Sequence, residues 1–355
     1  MNTIKNKTPV VVNISLTQAR LERYAFYTPA FISEREDFTD RSVEVFQLSD
    51  VIKAGYSQDS SAYIYCALAF AQTERVDSVI LVAKKSNETY LEAYKESPIN
   101  KYYFLSLESQ NEDDVLEISD YLILTDTYKL IFISKYEDIG LKLQGRRNIV
   151  WIWSSNFWFW DSSAIVCWDS NLDMELSIKQ HPESAWISRC GNLFPSHVQW
   201  SCKELIGVST QDTFTPQPNV DYDMTDHSQT PFNTPSNWYD VVMDYPVTWG
   251  DGTTCNGEWI DSVVFDDWLR WAIQRNVWKL FKNTPKINAT DNGVEQIELK
   301  IKEVLDFGVE QNGIMSYKVT EKSYDRLSRS SSFKFNYTRV HAIIGVISIN
   351  GTINA

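Results

Sequence analysis

The sequence has no closely paired cysteines, no paired histidine ligands and no apolar run long enough to cross a bilayer. Its five cysteines (Cys66, Cys167, Cys190, Cys202, Cys255) are odd in number and widely spaced, with no CxxC pair. That pattern excludes a disulfide framework and a structural zinc site, and it fits reduced thiols. The four histidines, His181, His197, His227 and His341, form no HExxH or other spacing that puts two ligands on one helix face. The N-terminus leads into only three consecutive valines, too few for a signal-peptide core. The expectation is a chain made in the cytoplasm, with no membrane insertion.

Also missing are the phosphate-cradling GxxxxGK[ST], the dinucleotide GxGxxG and the nucleophile elbow GxSxG. No catalytic residue, metal site or cofactor is assigned, and an enzyme is not expected. The best metal candidate is Asp221, Asp223, Asp226 and His227. Read as a calcium loop it has Asp226 where glycine makes the turn and Phe232 where a bidentate glutamate belongs. A solvated acidic loop is the better reading. Basic residues are outnumbered as well: the formal net charge is -14, and no Lys or Arg occurs between Glu204 and Arg270. Phosphate contacts need clustered Lys and Arg, so direct nucleic-acid binding is excluded.

Aromatics, by contrast, are abundant: thirteen Trp, eighteen Tyr and seventeen Phe. Such side chains supply core area and anchor interfaces. They are densest in the stretch from Trp151 to Trp168, with five Trp and two Phe. Alternation in Trp151-Ile152-Trp153 points to buried strands. The other reading is a sugar-stacking platform around Trp158 and Trp160, which would make the chain a carbohydrate- or receptor-binding tail or baseplate component.

From about Val43 the pattern is α/β. Helical spacing over Ser61–Gln72, Asn87–Glu96 and Glu112–Leu124 alternates with apolar runs at Ser78–Ala83, Tyr102–Leu107, Leu130–Ser134 and Ile149–Trp153. Such alternation predicts an open, mixed or mostly parallel sheet. A further helical segment lies near Glu183–Cys190. Residues 211–256, rich in Pro, Asp, Asn, Thr and Gly, read as an irregular acidic connection. Beyond it, Trp259–Phe281 is an amphipathic helix with its acids early and its bases (Arg270, Arg275, Lys279, Lys282) late, in the order the helix dipole favours. A second helix opens at the Thr290-Asp291 cap and stops at Asn312-Gly313, and strands follow at Ile314–Thr320 and Phe333–His341.

Both termini have strand periodicity. Val10, Val12, Ile14 and Leu16 share one face near the start, and Ile343, Ile347, Ile349 and Ile353 share one face at the end. They read either as edge strands of the chain's own sheet or as arms that complete a neighbour's sheet.

The C-terminal segments resemble the contractile tail sheath family of bacteriophages. The residues that carry the resemblance are Gly257-Glu258-Trp259-Ile260-Asp261, Asp267-Trp268-Leu269, Asn283-Thr284-Pro285-Lys286-Ile287, Thr290-Asp291 with Gly293-Val294, Val304-Leu305, and Phe335–Thr352 with His341 and Gly351. Weaker likeness runs through Ala67–Gln72, Ala185-Trp186-Ile187 and Trp200–Val208. The resemblance implies a subunit of stacked six-membered rings around a tail tube, whose contraction drives the tube through a host envelope. It further implies self-association, the tail tube, baseplate and tail terminator proteins as partners, and location in the tail of a virion. The implied organisation is an N-terminal strand arm (1–20), a central α/β domain (21–210), the acidic connection (211–256), a C-terminal α+β domain (257–342) and a C-terminal strand arm (343–355). Arg275, Lys279 and Lys282 would then face either an acidic tube or solvent.

Overall fold

The computed structural model describes residues 25–134, 139–153, 181–208, 237–242, 245–249, 252–325 and 327–342. Both terminal runs, with Val10, Val12, Ile14, Leu16, Ile343, Ile347, Ile349 and Ile353, lie outside the described residues. So do Trp158, Trp160 and the Asp221, Asp223, Asp226, His227 group.

Strand β1 (Pro29–Glu34) runs through the middle of the main sheet, parallel to β3 (Val79–Lys84) on one side and β4 (Phe104–Leu107) on the other. The parallel array continues through β5 (Leu130–Ser134) and β6 (Ile149–Trp153). Strand β2 (Ser42–Val45) closes one edge antiparallel to β3. At the other edge β7 (Asn237–Val242) adds parallel to β6, and β8 (Tyr245–Trp249) folds back antiparallel to β7. The sheet order is β2-β3-β1-β4-β5-β6-β7-β8.

The parallel strands are buried on both faces, as sheets with helical crossovers require. Successive side chains divide between two apolar layers. Phe31, Leu81, Phe104, Phe132 and Ile152 enter one, and Ile32, Ile80, Leu105, Ile131 and Trp151 the other. The second layer is closed by α3 (Tyr90–Glu96), α4 (Glu112–Thr125) and α5 (Gly140–Leu143). A capping box starts α3: Thr89 Oγ1 accepts from Glu92 N–H and the Glu92 carboxylate accepts from Thr89 N–H. The first layer is covered by α1 (Leu48–Lys53), α2 (Ser61–Ala71) and α6 (Pro182–Gly191). Here Trp186, Trp200 and Phe132 meet with ring centroids 5.5–5.8 Å apart, and Trp186 Nε1 donates to the Trp200 carbonyl.

The C-terminal part is α+β: α7 (Ile260–Asn283), α8 (Asp291–Glu310), and a hairpin of β9 (Ile314–Asp325) and β10 (Ser330–Arg339). Thr290 caps α8 as its sequence predicts, accepting from Gly293 N–H. Val294, Ile297, Ile301, Val304 and Leu305 form its buried stripe. This part does not have a core of its own. Ile260, Val263, Phe265, Leu269, Leu305 and Ile314 belong to the same continuous apolar cluster as Phe31, Phe132 and Trp186.

The structure has strands where the sequence reading places none, at β1 and at β7–β8. Strand β1 lies ahead of Val43, where the α/β pattern was expected to begin. Its apolar run (Ala30, Phe31, Ile32) is too short to show a period, although it occupies the centre of the sheet. The acidic connection expected over 211–256 contains the β7–β8 hairpin, which extends the sheet. Its apolar residues are interspersed with Asp and Pro, and Pro246 is tolerated because β8 is an edge strand.

Gly313 makes a close approach that no larger residue allows. A Cβ placed there would lie 2.2 Å from a Phe265 ring atom, in the seam between α7 and the turn that joins α8 to β9. Gly313→Ala is expected to lower stability by about 1–3 kcal/mol, read as a lower urea midpoint with an unchanged slope.

Candidate functional site

The first half of α7 is buried and carries charge into the seam between the two parts of the subunit. Asp266, Asp267 and Arg270 are each less than 5% exposed. Buried charges are costly unless paired, and these are paired across the seam. Asp267 accepts from Tyr103 Oη at 2.8 Å, just ahead of β4, and from Arg147 Nη1 at 3.2 Å, just ahead of β6. Arg147 Nε also donates to Glu258 at 3.0 Å, and its Nη2 lies 3.6 Å from Asp266. Asp266 in turn accepts from Tyr337 Oη at 2.6 Å and from Arg339 Nε at 2.8 Å, and Arg339 Nη2 reaches its other oxygen. Arg270 donates to Tyr128 Oη at 2.7 Å, tying the next turn of α7 to the chain just before β5.

The electrostatics follow from burial and partners. Burial pushes the Asp267 carboxyl above the usual carboxylate range, opposed by Arg147 and by the Tyr103 hydroxyl. Burial also acts against the Arg147 guanidinium, but Asp267, Glu258 and Asp266 outweigh it and hold its charge firmly. Tyr103 is pushed well up, first by burial and then by Asp267. With its native carboxyl raised, Asp267 stabilises the fold only in acid, and that contribution is lost as the pH rises through the native value. At neutral pH its burial is therefore a cost, offset by Arg147.

The network fixes the exit of the described chain. Strand β10 ends at Arg339, the Val340 N–H donates to the Gly313 carbonyl at 3.1 Å, and the His341 ring stands edge-on to Trp259 at 5.6 Å. Residues 339–341 are thereby tied to α7 and, through Asp266 and Arg147, to the main sheet. In the sequence the acids of α7 look like complements to the helix dipole. Their pairing with Tyr103, Arg147 and Arg339 joins positions more than seventy residues apart, so no local pattern reveals it.

Of the expected surface residues, Arg275, Lys279 and Lys282 fall on the second half of α7, spaced four and three apart on one face. Arg275 lies over the Trp271 ring at 5.1 Å, while Lys279 and Lys282 are exposed. Trp278 and Phe281 beside them are also exposed, at 44% and 37%. Among the described residues, no group of three His, Cys, Asp or Glu is placed to hold a metal, and no helix is long and apolar enough to cross a membrane.

Removing one partner of a buried ion pair leaves the other charge uncompensated. Asp266→Ala is expected to cost about 3–5 kcal/mol and to raise amide exchange first in β10 and at Val340. Hydrogen exchange resolved along the chain checks both the size and the place of the effect.

Residues 260–344 match the sequence family described as "E217 tail sheath protein gp31-like, C-terminal domain". No curated protein matches the chain in sequence. Among solved structures, the helical sheath of the anti-feeding prophage in its contracted state is similar over 99% of both chains, with a TM-score of 0.61 at 12% identity. A chain of the six-fold symmetrised baseplate of the same particle is similar over the full length of both, with a TM-score of 0.63 at 11% identity. The sheath complex of the extracellular contractile injection system PVC, also contracted, gives 0.65 at 10% identity over 99% of this chain and 98% of that one. By sequence over residues 260–344 and by fold over its whole length, the chain resembles contractile tail sheath proteins.

Proposed function

We propose that the chain is the structural subunit of a contractile tail sheath. Copies associate as six-membered rings stacked around a tail tube, and contraction of the stack drives the tube through the host envelope. The observation that carries this reading is the likeness in fold, over 99% of both chains, to a helical sheath. The role is structural, without metal, cofactor or nucleotide. The protein is made in the host bacterial cytoplasm and works in the tail of the particle. Its partners are other copies of itself, the tube, the baseplate and the tail terminator.

In this reading the five segments divide the work. The central domain (21–210), the connection (211–256) and the C-terminal domain (257–342) form the body. Segments 1–20 and 343–355 are arms that pair with neighbouring copies. A donated strand of about six residues makes several backbone hydrogen bonds, each worth roughly 0.5–1.5 kcal/mol net. Burying Val12, Ile14, Leu16, Ile347 or Ile349 adds roughly 1.5–3 kcal/mol per side chain, less the entropy of ordering the arm. Contraction then belongs to the class of rigid-body rotations, with the arms preserving connectivity, and the extended stack is kinetically trapped. Arg275, Lys279 and Lys282, on one exposed face of α7, are the side chains assigned to an acidic tube surface.

The arm assignment predicts that deleting residues 1–17 or 343–355 leaves a folded monomer unable to build cylinders. Circular dichroism and sedimentation on the same samples read the two properties separately. Truncation that unfolds the protein would make the segments strands of the subunit's own sheet.

A further inference from the structure

Two tyrosines of the main sheet grip the buried half of α7, and one side chain ties their two segments together. Tyr103 Oη donates to Asp267 at 2.8 Å, and Tyr128 Oη accepts from Arg270 Nη1 at 2.7 Å. Tyr103 ends the turn between α3 and β4, and Tyr128 stands two residues before β5. Lys129 follows Tyr128 and reaches back to the chain beside Tyr103. It is 1% exposed, and its Nζ donates to the Ile99 carbonyl at 2.5 Å and to the Tyr102 carbonyl at 2.6 Å. The same Nζ lies 4.0 Å from the centre of the Tyr102 ring.

The acceptors of this amine are neutral, and a buried charge without a counter-charge is costly. Burial pushes the Lys129 ammonium well below the usual lysine range, and no carboxylate acts against it. The titratable groups on the elements around it are accounted for. On α3, Glu96 is taken by Arg41, and the exposed Lys95 lies over the Tyr121 ring of α4 at 4.6 Å. Burial pushes the Tyr94 and Tyr102 hydroxyls up, so neither supplies a negative charge. In the turn, Lys101 is exposed and the Tyr102 hydroxyl shares a bond of 2.6 Å with Ser97 Oγ. Asp126, the C-cap of α4, acts on Tyr128 and not on the amine.

We propose that Lys129 is a proton-sensitive tie that sets how firmly Tyr103 and Tyr128 hold α7. In the closed turn the buried amine holds its proton less tightly than a hydrated lysine does. Opening the turn lets it take up a proton in water, so opening is favoured as the pH falls. The contribution of the tie is fully present above the ordinary lysine value, about 10.4. It declines as the pH falls from there toward the lower native value, and below that value both forms are protonated and the effect is constant. The Tyr103 N–H donates to the Thr28 carbonyl and the Leu130 N–H to the Tyr103 carbonyl, so loosening the turn frees both amides. The tie belongs to the single subunit and does not rest on the assembly proposed above.

The test uses the isolated full-length subunit, before any assembly. Amide exchange at Tyr103 and Leu130 is followed from about pH 6 to about pH 9.5, corrected for the intrinsic pH dependence, with β3 amides as the control for global unfolding. Protection at both is expected to rise several-fold with pH in the parent, by at most about tenfold per pH unit. It is expected to stay level in Lys129→Met, which keeps Asp267 and every tyrosine. In the parent the Lys129 Cε resonance is expected to titrate below the ordinary lysine value, at the pH where protection begins to rise. That second reading does not depend on the variant's folding. A level parent profile, a rise retained in Lys129→Met, or a Cε midpoint at the ordinary lysine value overturns the tie.

Discussion

The pairing of Arg147 with Asp266 and Asp267 is the constraint on which the rest of the subunit's architecture depends. Two adjacent carboxylates on one buried helix are unfavourable unless cations reach both, and the cations come from opposite directions: Arg147 from the main sheet and Arg339 from the last strand. Satisfying that pair fixes the register of α7 against the sheet and of β10 against α7 in one step. Apolar burial supplies the affinity between the parts, since one cluster runs from Phe31 to Ile314. It is not directional, and the charge network adds the geometry.

Helix α7 therefore serves two purposes along its 24 residues. Its first half is interior, with Asp266 and Asp267 paired to Arg339 and Arg147. Its second half projects an exposed face on which Trp278 and Phe281 accompany Lys279 and Lys282. A rigid helix that is anchored at one end and presents side chains at the other transmits position without bending, which suits a subunit proposed to move as a body. The hairpin of β9 and β10 adds a two-stranded sheet with polar residues on its outer face.

Much of the fold is legible in the sequence, because parallel strands buried on both faces have continuous apolar runs. Val79–Lys84, Leu130–Ser134 and Ile149–Trp153 stand out for that reason, and α8 stands out by its stripe and its Thr290 cap. Strand β1 does not, because three apolar residues after a proline carry no period. The β7–β8 hairpin was hidden by composition, its apolar residues scattered among Asp and Pro. The site was the least legible part. The sequence marks Asp266 and Asp267 as acids near a helix start, but their partners Tyr103, Arg147 and Arg339 are set by topology. The local cue is only that two acids fall among Val264, Phe265, Trp268 and Leu269, where a solvent-facing dipole complement would not be buried.

The central claim is self-assembly into a sheath. It is tested most directly by negative-stain electron microscopy of the full-length chain, overproduced alone at high concentration. The account predicts striated hollow cylinders with six-fold end views. A monodisperse monomer under those conditions, folded and concentrated yet without rings or cylinders, would contradict it.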